Sequence, residues 1–285
     1  MAKHSPSLAL TLNPLDKDKN PVIDLRPASE FIAGHLPYSA SLPLADLEGS
    51  WHELPPKKTP LIVVANQKDF PYLKELFALQ DYPIVEILSE EDLFHSKLQV
   101  GNLSQRLWRG NPLLENHIQL IKAHLSKADA KVFDIGSGSG RDSLFLRLHG
   151  LRAVAIDNNR FALERLGHFS ERWNLPVTAK NLDLQNQALE LEQLMLAQKP
   201  QLIVQARYLH RPLLEIYKKS LAPGAMLAIH TFTEKAAEFG KPKNPAYLLR
   251  DGELEETFAG WQLLVNEEHR LADGRPLSMF LARKR

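Results

Sequence analysis

Three glycines at 136, 138 and 140 stand between two aspartates, Asp134 and Asp157, and their spacing points to nucleotide-like chemistry. The run Val132-Phe133-Asp134-Ile135 reads as an apolar strand, the glycines as a turn, and the residues after Gly140 as a helix. Glycines allow a tight turn and a close ligand approach, and the helix N-terminus favours negative charge. Asp157 follows Gly136 by 21 residues, close to the ~20 at which a carboxylate on the next strand meets a ribose diol. Such a carboxylate accepts from two vicinal hydroxyls, whether the ribose belongs to NAD or to S-adenosylmethionine. The glycine pattern separates the two. A dinucleotide loop, G-x-G-x-x-G, needs glycine at 141, where this chain has Arg141.

A second constellation lies at the end of a later apolar strand: Gln205-Ala206-Arg207-Tyr208-Leu209-His210-Arg211. In open α/β sheets ligands bind outside the carboxyl ends of the strands, so this rim is the expected place for a second reactant. Arg207 and Arg211 are suited to an anionic acceptor, and His210 to taking a proton. Tyr208 is placed to touch the reaction path, and His230, ending the next strand, is a second base candidate. The alternative is that His210 and Arg211 cap the following helix, Tyr208 packs in the core and His230 is a structural strand-end residue. Residues 239–250 form a long connection at the same rim, with Lys241 and Lys243 suited to an anionic substrate, and long loops there commonly act as lids. Trp108 and Arg109 are placed to close the pocket.

Other chemistries are excluded or disfavoured. The chain of 285 residues has no cysteine, which removes disulfides, thiolate metal sites, iron–sulfur clusters and any cysteine nucleophile. The 11 histidines show neither H-x-x-x-H nor H-E-x-x-H spacing, so no metal site is predicted. With 35 Lys+Arg against 34 Asp+Glu, nothing draws the chain generally to nucleic acid or to an anionic membrane. No apolar run approaches the ~18–20 residues needed to span a bilayer. The stretch from Leu8 to Leu12 is short for the apolar core of a signal peptide, so a cytoplasmic protein is expected.

The positioning elements follow from apolar runs and their punctuation. Short apolar strands are predicted at 22–25, 61–64 and 84–88, with a helix over 70–79. The proline-rich segment 53–60 must be a surface connection. Asn111-Pro112 starts a helix, Asn as cap and Pro at the first position. Strands at 132–135, 153–156, 177–179, 202–206 and 225–229 alternate with helices, among them 139–149, 159–173 and 212–221. Two last strands, 261–267 and 277–282, are joined by so short a turn that they must be antiparallel. The expected fold is α/β: a small domain over 1–95, a joining segment 96–111, and a doubly wound sheet over 112–285.

The first domain carries Asp24, Arg26, Glu30-Phe31, Gly34-His35-Leu36-Pro37, Ala40 and Pro43, and on these it resembles the rhodanese-like family over roughly residues 14–95. That family holds a persulfide on a cysteine just after a central strand, here 61–64, and Ala65 stands about where the cysteine belongs. Sulfane sulfur transfer needs a thiolate. The resemblance therefore implies a catalytically inactive domain, suited to docking a protein partner or to regulation, or one whose loop still binds an anion with help from Lys68.

The second domain resembles the Rossmann-like S-adenosylmethionine-dependent methyltransferases. On that resemblance Asp134, Gly136, Ser137, Gly138 and Gly140 surround the methionyl part. Asp157 takes the ribose hydroxyls, Asn158 lies beside the adenine edge, and Asp183 faces the adenine amino group. Arg106-Leu107-Trp108-Arg109, Asn111-Pro112-Leu113-Leu114, Gly140-Arg141-Asp142-Ser143, the run from Arg207 to Leu213, Leu221-Ala222-Pro223-Gly224 and the run from Gly240 to Pro245 resemble the tellurite-resistance-type branch. This implies methyl transfer to a small acceptor, a soft or anionic nucleophile. The alternatives are a non-catalytic cofactor-binding regulator and a methyltransferase of protein or RNA.

Overall fold

The computed structural model describes residues 8–16 and 19–285. The apolar stretch from Leu8 to Leu12 lies within the described residues, and residues 1–7 and 17–18 lie outside them. The chain forms two compact units, one of residues 1–109 with 171–174, the other of 110–170 with 175–285.

In the first unit β1 (Ala9–Pro14) is followed by β2 (Val22–Asp24), α1 (Ala28–Ala33), β3 (Ser39–Ser41), β4 (Leu61–Val64), α2 (Phe70–Leu79), β5 (Ile84–Leu88), α3 (Glu90–Leu93) and β6 (Leu103–Arg106). β3, β2, β4 and β5 lie in that order in one parallel sheet. Its core joins Ile23, Leu25, Leu61, Val63, Leu73 and Phe77. β1 and β6 form a separate parallel pair, in places where apolar patterning predicts no strand. The reason lies in β6, whose buried residues are Ser104, Gln105 and Arg106. Their polar atoms are met by distant partners, Gln105 Nε2 donating to Thr11 Oγ1 at 3.0 Å and Arg106 Nη2 to the Leu12 carbonyl at 2.8 Å.

The turn after β2 is built on a buried ion pair. Arg26 donates from Nε and Nη2 to the two oxygens of Asp24 at 3.0 and 2.7 Å, and from Nη2 to the Gly34 carbonyl at 2.8 Å. Burial opposes the guanidinium's charge, yet Asp24 raises its pKa further. His35 stacks on Phe31, ring centroids 3.8 Å apart. Ala65 follows β4 directly and is buried, its N–H donating to the Leu88 carbonyl at 3.0 Å. A methyl group thus occupies the loop position at which a sulfurtransferase needs a thiolate.

The second unit opens with α4 (Pro112–His124), capped by Asn111 Oδ1 accepting from the Leu114 amide at 3.1 Å. Then come β7 (Lys131–Ile135), α5 (Arg141–Leu148), β8 (Arg152–Asp157), α6 (Arg160–Arg172), β9 (Thr178–Asn181), α7 (Ala188–Gln198), β10 (Leu202–Ala206), α8 (Arg211–Ser220), β11 (Met226–Phe232), α9 (Glu253–Thr257), β12 (Gln262–Arg270) and β13 (Pro276–Arg283). The sheet order is β12-β13-β11-β10-β7-β8-β9, the last five parallel. β13 runs antiparallel between β11 and β12. The order reverses direction between β7 and β10, which opens a crevice beyond their carboxyl ends. Phe133, Ile135, Ile156, Ile203, Leu213, Tyr217, Leu227 and Phe280 centre the core below it.

The Asp24–Arg26 pair yields a stability test. Removing one partner of a buried pair strands the other charge, at a cost of about 3–5 kcal/mol. Asp24→Asn should lower the unfolding free energy of the first unit by about that much in denaturant titration, leaving the second unit's transition in place. A loss below about 1 kcal/mol would refute the role given to the pair.

Candidate active site

At the end of β7 the backbone turns through three glycines with φ of 70° at Gly136, 53° at Gly138 and 84° at Gly140. Two are sterically enforced. A Cβ at Gly140 would sit 2.1 Å from Leu166 Cδ1, and one at Gly136 would meet the Tyr208 side chain at 3.2 Å. Gly138 differs, for no heavy atom lies within 4 Å of where its Cβ would be. The loop thus presents an open cradle at its middle. Ser137 Oγ beside it is buried without a partner among the described residues.

The loop amides are already engaged. Those of Gly136 and Ser137 donate to the Ile156 carbonyl at 2.9 and 3.2 Å, that of Gly140 to Ser137, and that of Gly138 to Asp157 Oδ2 at 2.8 Å. Asp157 Oδ1 accepts from the Asn159 amide at 2.8 Å, so this half-buried carboxylate is fixed on both oxygens and keeps lone pairs for a diol. Asp134 lies beneath the loop, 1% exposed, and accepts from Ser143 Oγ at 2.6 Å. Burial and the neighbouring Asp142 push its pKa up to about 8. Asp142 is raised by burial as well, against the hydrogen bonds it accepts from the Asn111 amide and Nδ2 at 2.6 Å each. Beyond β9, Asp183 accepts from Asn186 Nδ2 at 2.7 Å and the Gln185 amide at 3.1 Å, and the Asn186 bond first of all lowers its pKa. Asn158 is exposed at the end of β8, its carbonyl accepting from Asn181 Nδ2 at 3.2 Å.

The rim beyond β10 is built on a strained residue. Arg207 follows β10 with φ of 53°, and its amide donates to the His230 carbonyl at 2.7 Å. Its guanidinium is exposed and has no hydrogen-bond or ion-pair partner among the described residues. The next turn is braced from below: buried Gln205 donates to the Tyr208 carbonyl at 2.7 Å and accepts from Tyr217 at 2.6 Å. Tyr208 packs on Gly136, and burial, Asp183, Asp157 and Tyr247 raise its phenol to about 12. It is therefore neither free core packing nor an ionised group. His210 is half-buried at the head of α8, where its carbonyl, not its imidazole, takes part in the helix start.

Two expectations change at this rim. His230 is 1% exposed and its Nε2 lies 3.2 Å from His269 Nδ1. Burial, then His269 and Arg207, lower its pKa to about 3, so it stays neutral and is too weak a base for the role expected of it. Arg211, expected to hold an anionic acceptor, is already saturated. It donates to Glu253 at 2.5 and 2.9 Å and to the carbonyls of Pro245, Ala246 and Leu248. Trp108 and Arg109 belong to the first unit, where Trp108 is buried and Arg109 donates to the Leu15 carbonyl at 3.1 Å.

His269 and Glu253 contribute to this arrangement without a sequence reading that marks them. Asn111, Ser143 and Gln205 are marked in the sequence only as a cap or as members of motifs, and the bonds they make to Asp142, Asp134 and Tyr217 are added by the fold.

Residues 109–272, more than half of the chain, match the family model described as tellurite resistance protein TehB. The chain belongs to the TehB family. Residues 7–90 match the rhodanese-like domain. An uncharacterized protein of Schizosaccharomyces pombe is 23% identical, over 92% of this chain and 93% of that one. Hemagglutinin 1 of Eikenella corrodens is 25% identical over 57% of this chain and 56% of its own length. The crystal structure of TehB from Haemophilus influenzae aligns at 22% identity and a TM-score of 0.48, covering 60% of this chain and 62% of that one.

The second unit is an S-adenosylmethionine-dependent methyltransferase domain of the TehB family, and its residues fit that cofactor. A diphosphate needs free amides at a glycine loop, whereas here four loop amides are consumed and Asp134, Asp142 and Asp157 surround the turn. Asp157 suits a diol, and Asp134 and Asp142, both raised by burial, can release protons to balance a sulfonium, which a diphosphate would not draw from them. The open side of Gly138 leaves room for the ligand.

The proton on Asp134 gives a pH test. Unfolded, the group titrates near 3.8; folded, near 8, so between these values the native state holds the extra proton. Stability must therefore fall as pH rises through that window, by at most about 1.4 kcal/mol per unit. Asp134→Asn should flatten this slope in denaturant titrations between pH 5 and 8. An unchanged slope would place the proton elsewhere.

Proposed function

We propose that this TehB-family protein methylates a small acceptor that arrives as a soft or anionic nucleophile. The observation carrying this reading is the unpartnered Arg207 guanidinium at the rim, beside the neutral imidazole of His230. An anion there meets one positive charge that forms no ion pair or side-chain hydrogen bond among the described residues, and it needs no strong base. Cofactor residues in this reading are Asp157 for the ribose, Asp183 and Asn158 for the adenine, and Asp134 with the 136–140 loop for the methionyl part. When bound, S-adenosylmethionine supplies a sulfonium-activated methyl group.

The chain's own residues then align and enclose. Methyl transfer is an in-line displacement, so most of the catalysis is alignment and exclusion of water. Arg207 binds and orients the acceptor's charge, Tyr208 forms the wall next to Gly136, and His210 takes the proton of an acceptor that arrives protonated. The rhodanese-like unit has no thiol to carry sulfur. It serves in this reading as a docking or regulatory module for a protein partner.

Calorimetric titration with S-adenosylmethionine, S-adenosylhomocysteine and NAD should give binding of the first two and none of the third. Asp157→Ala should weaken the first two by about 10–100-fold, the worth of a hydrogen-bonded charge. Equal affinity in the variant would remove Asp157 from the ribose. For the acceptor, Arg207→Gln should raise KM for thiolate and chalcogen anions by about 10–100-fold, leaving cofactor affinity within about twofold. Unaltered KM would end the assignment of Arg207.

A further inference from the structure

The connection 239–250 is strapped down at both ends of its length. At its start Phe239 stands against Gly274, where an added Cβ would be 2.9 Å from Phe239 Cδ1. Arg275 reaches from the same hairpin turn to the Lys241 carbonyl, held by Asp273 at 2.8 Å and lying over the Phe232 ring. At its end Leu249 returns to β11, its amide donating to the Phe232 carbonyl at 2.9 Å while its carbonyl accepts from Glu234. Between these anchors Asn244 Oδ1 accepts from the Ala246 amide at 2.9 Å and starts a single helical turn, Pro245–Tyr247.

Tyr247 lies within this fastened stretch. The carbonyls on either side of it, Ala246 and Leu248, both accept from Arg211, at 3.2 and 2.8 Å. Arg211 stands three residues after Tyr208 and is itself forked onto Glu253, whose carboxylate is 5% exposed and also accepts from the Arg250 amide at 2.9 Å. The Tyr247 side chain is 49% exposed, and its phenol lies within electrostatic reach of the Tyr208 phenol. Tyr208 in turn rests on Gly136 of the cofactor loop. Tyr208 thus packs on the cofactor loop, and Arg211, three residues further on, clamps the backbone on both sides of Tyr247. The backbone that carries Tyr247 is thereby held at this rim.

We propose that Tyr247, held in place by Arg211 and Glu253, is the specificity-determining residue that limits the size of the methyl acceptor beside Tyr208. This rests on the acceptor-site reading given above. Arg211 and Glu253 are positioning residues; neither touches the acceptor.

The test compares a small and a bulky thiol, methanethiol and benzenethiol. Both kcat/KM and calorimetric binding with S-adenosylhomocysteine present are measured. Pocket discrimination of one group against another is worth about 10–200-fold. Tyr247→Ala should therefore shift the bulky-to-small ratio by at least about tenfold in favour of the bulky thiol in both measurements. Tyr247→Phe, which keeps the ring, should stay within about twofold of the parent. Arg211→Lys should shift the ratio in the same direction as Tyr247→Ala and add nothing to it in the double variant, whereas a general loss of folding would lower both thiols alike. If the parent protein discriminates or methylates and Tyr247→Ala leaves the ratio unmoved, the strap assignment is overturned alone. If the parent neither binds nor methylates either thiol, the acceptor-site reading falls, and this assignment with it.

Discussion

The hydrogen bond from the Gly138 amide to Asp157 joins the glycine loop to the end of the next strand, and the rest of the site is arranged around it. It spends an amide that a phosphate would otherwise use and fixes the carboxylate that the proposed reading assigns to the ribose. The same loop turns tightly because Gly140 admits Leu166 and Gly136 admits Tyr208, so core packing and ligand approach are decided by the same backbone. The buried Asp134, held by Ser143, and Asp142, held by Asn111, then surround the turn with carboxyl groups. Burial keeps a proton on such groups until another positive charge is offered. A sulfonium provides that charge; a diphosphate does the reverse.

Across the rim the electrostatics have the opposite sign. Arg207 is exposed and unpartnered among the described residues, and burial first, with its charge as well, lowers the proton affinity of His230 and His269, which face one another. A neutral imidazole pair beside a guanidinium attracts an anion without adding a base. The left-handed backbone at Arg207 is held by the His230 carbonyl, and the following turn by Gln205 and Tyr217. Strain of this kind persists only where surrounding bonds over-determine it, as at binding sites.

The first unit follows a different logic. Its rhodanese-like frame is kept by the Asp24–Arg26 pair, the Phe31–His35 stack and the apolar core packed on its sheet. Ala65 in the loop after β4 removes the nucleophile without disturbing any of these, because a small apolar residue is readily buried there. Frame and chemistry are separable in this fold: the one depends on a core, the other on a single side chain.

Much of this was legible in the order of residues. Strand–helix alternation, the glycine spacing, Asp157 at its 21-residue distance and the absence of cysteine are local or compositional features, and each has a direct physical consequence. They determined the fold class, the cofactor loop and the loss of sulfur chemistry. The pairings that set the roles of His230 and Arg211 are of another kind. His230 meets His269 across 39 residues and Arg211 meets Glu253 across 42. Strands β1 and β6 likewise pair across some 90 positions through polar side chains that no apolar pattern marks. Whether a histidine is a base or a buried neutral ring depends on what the fold brings against it. Spacing along the chain does not encode that neighbour, and only the tertiary structure decided it.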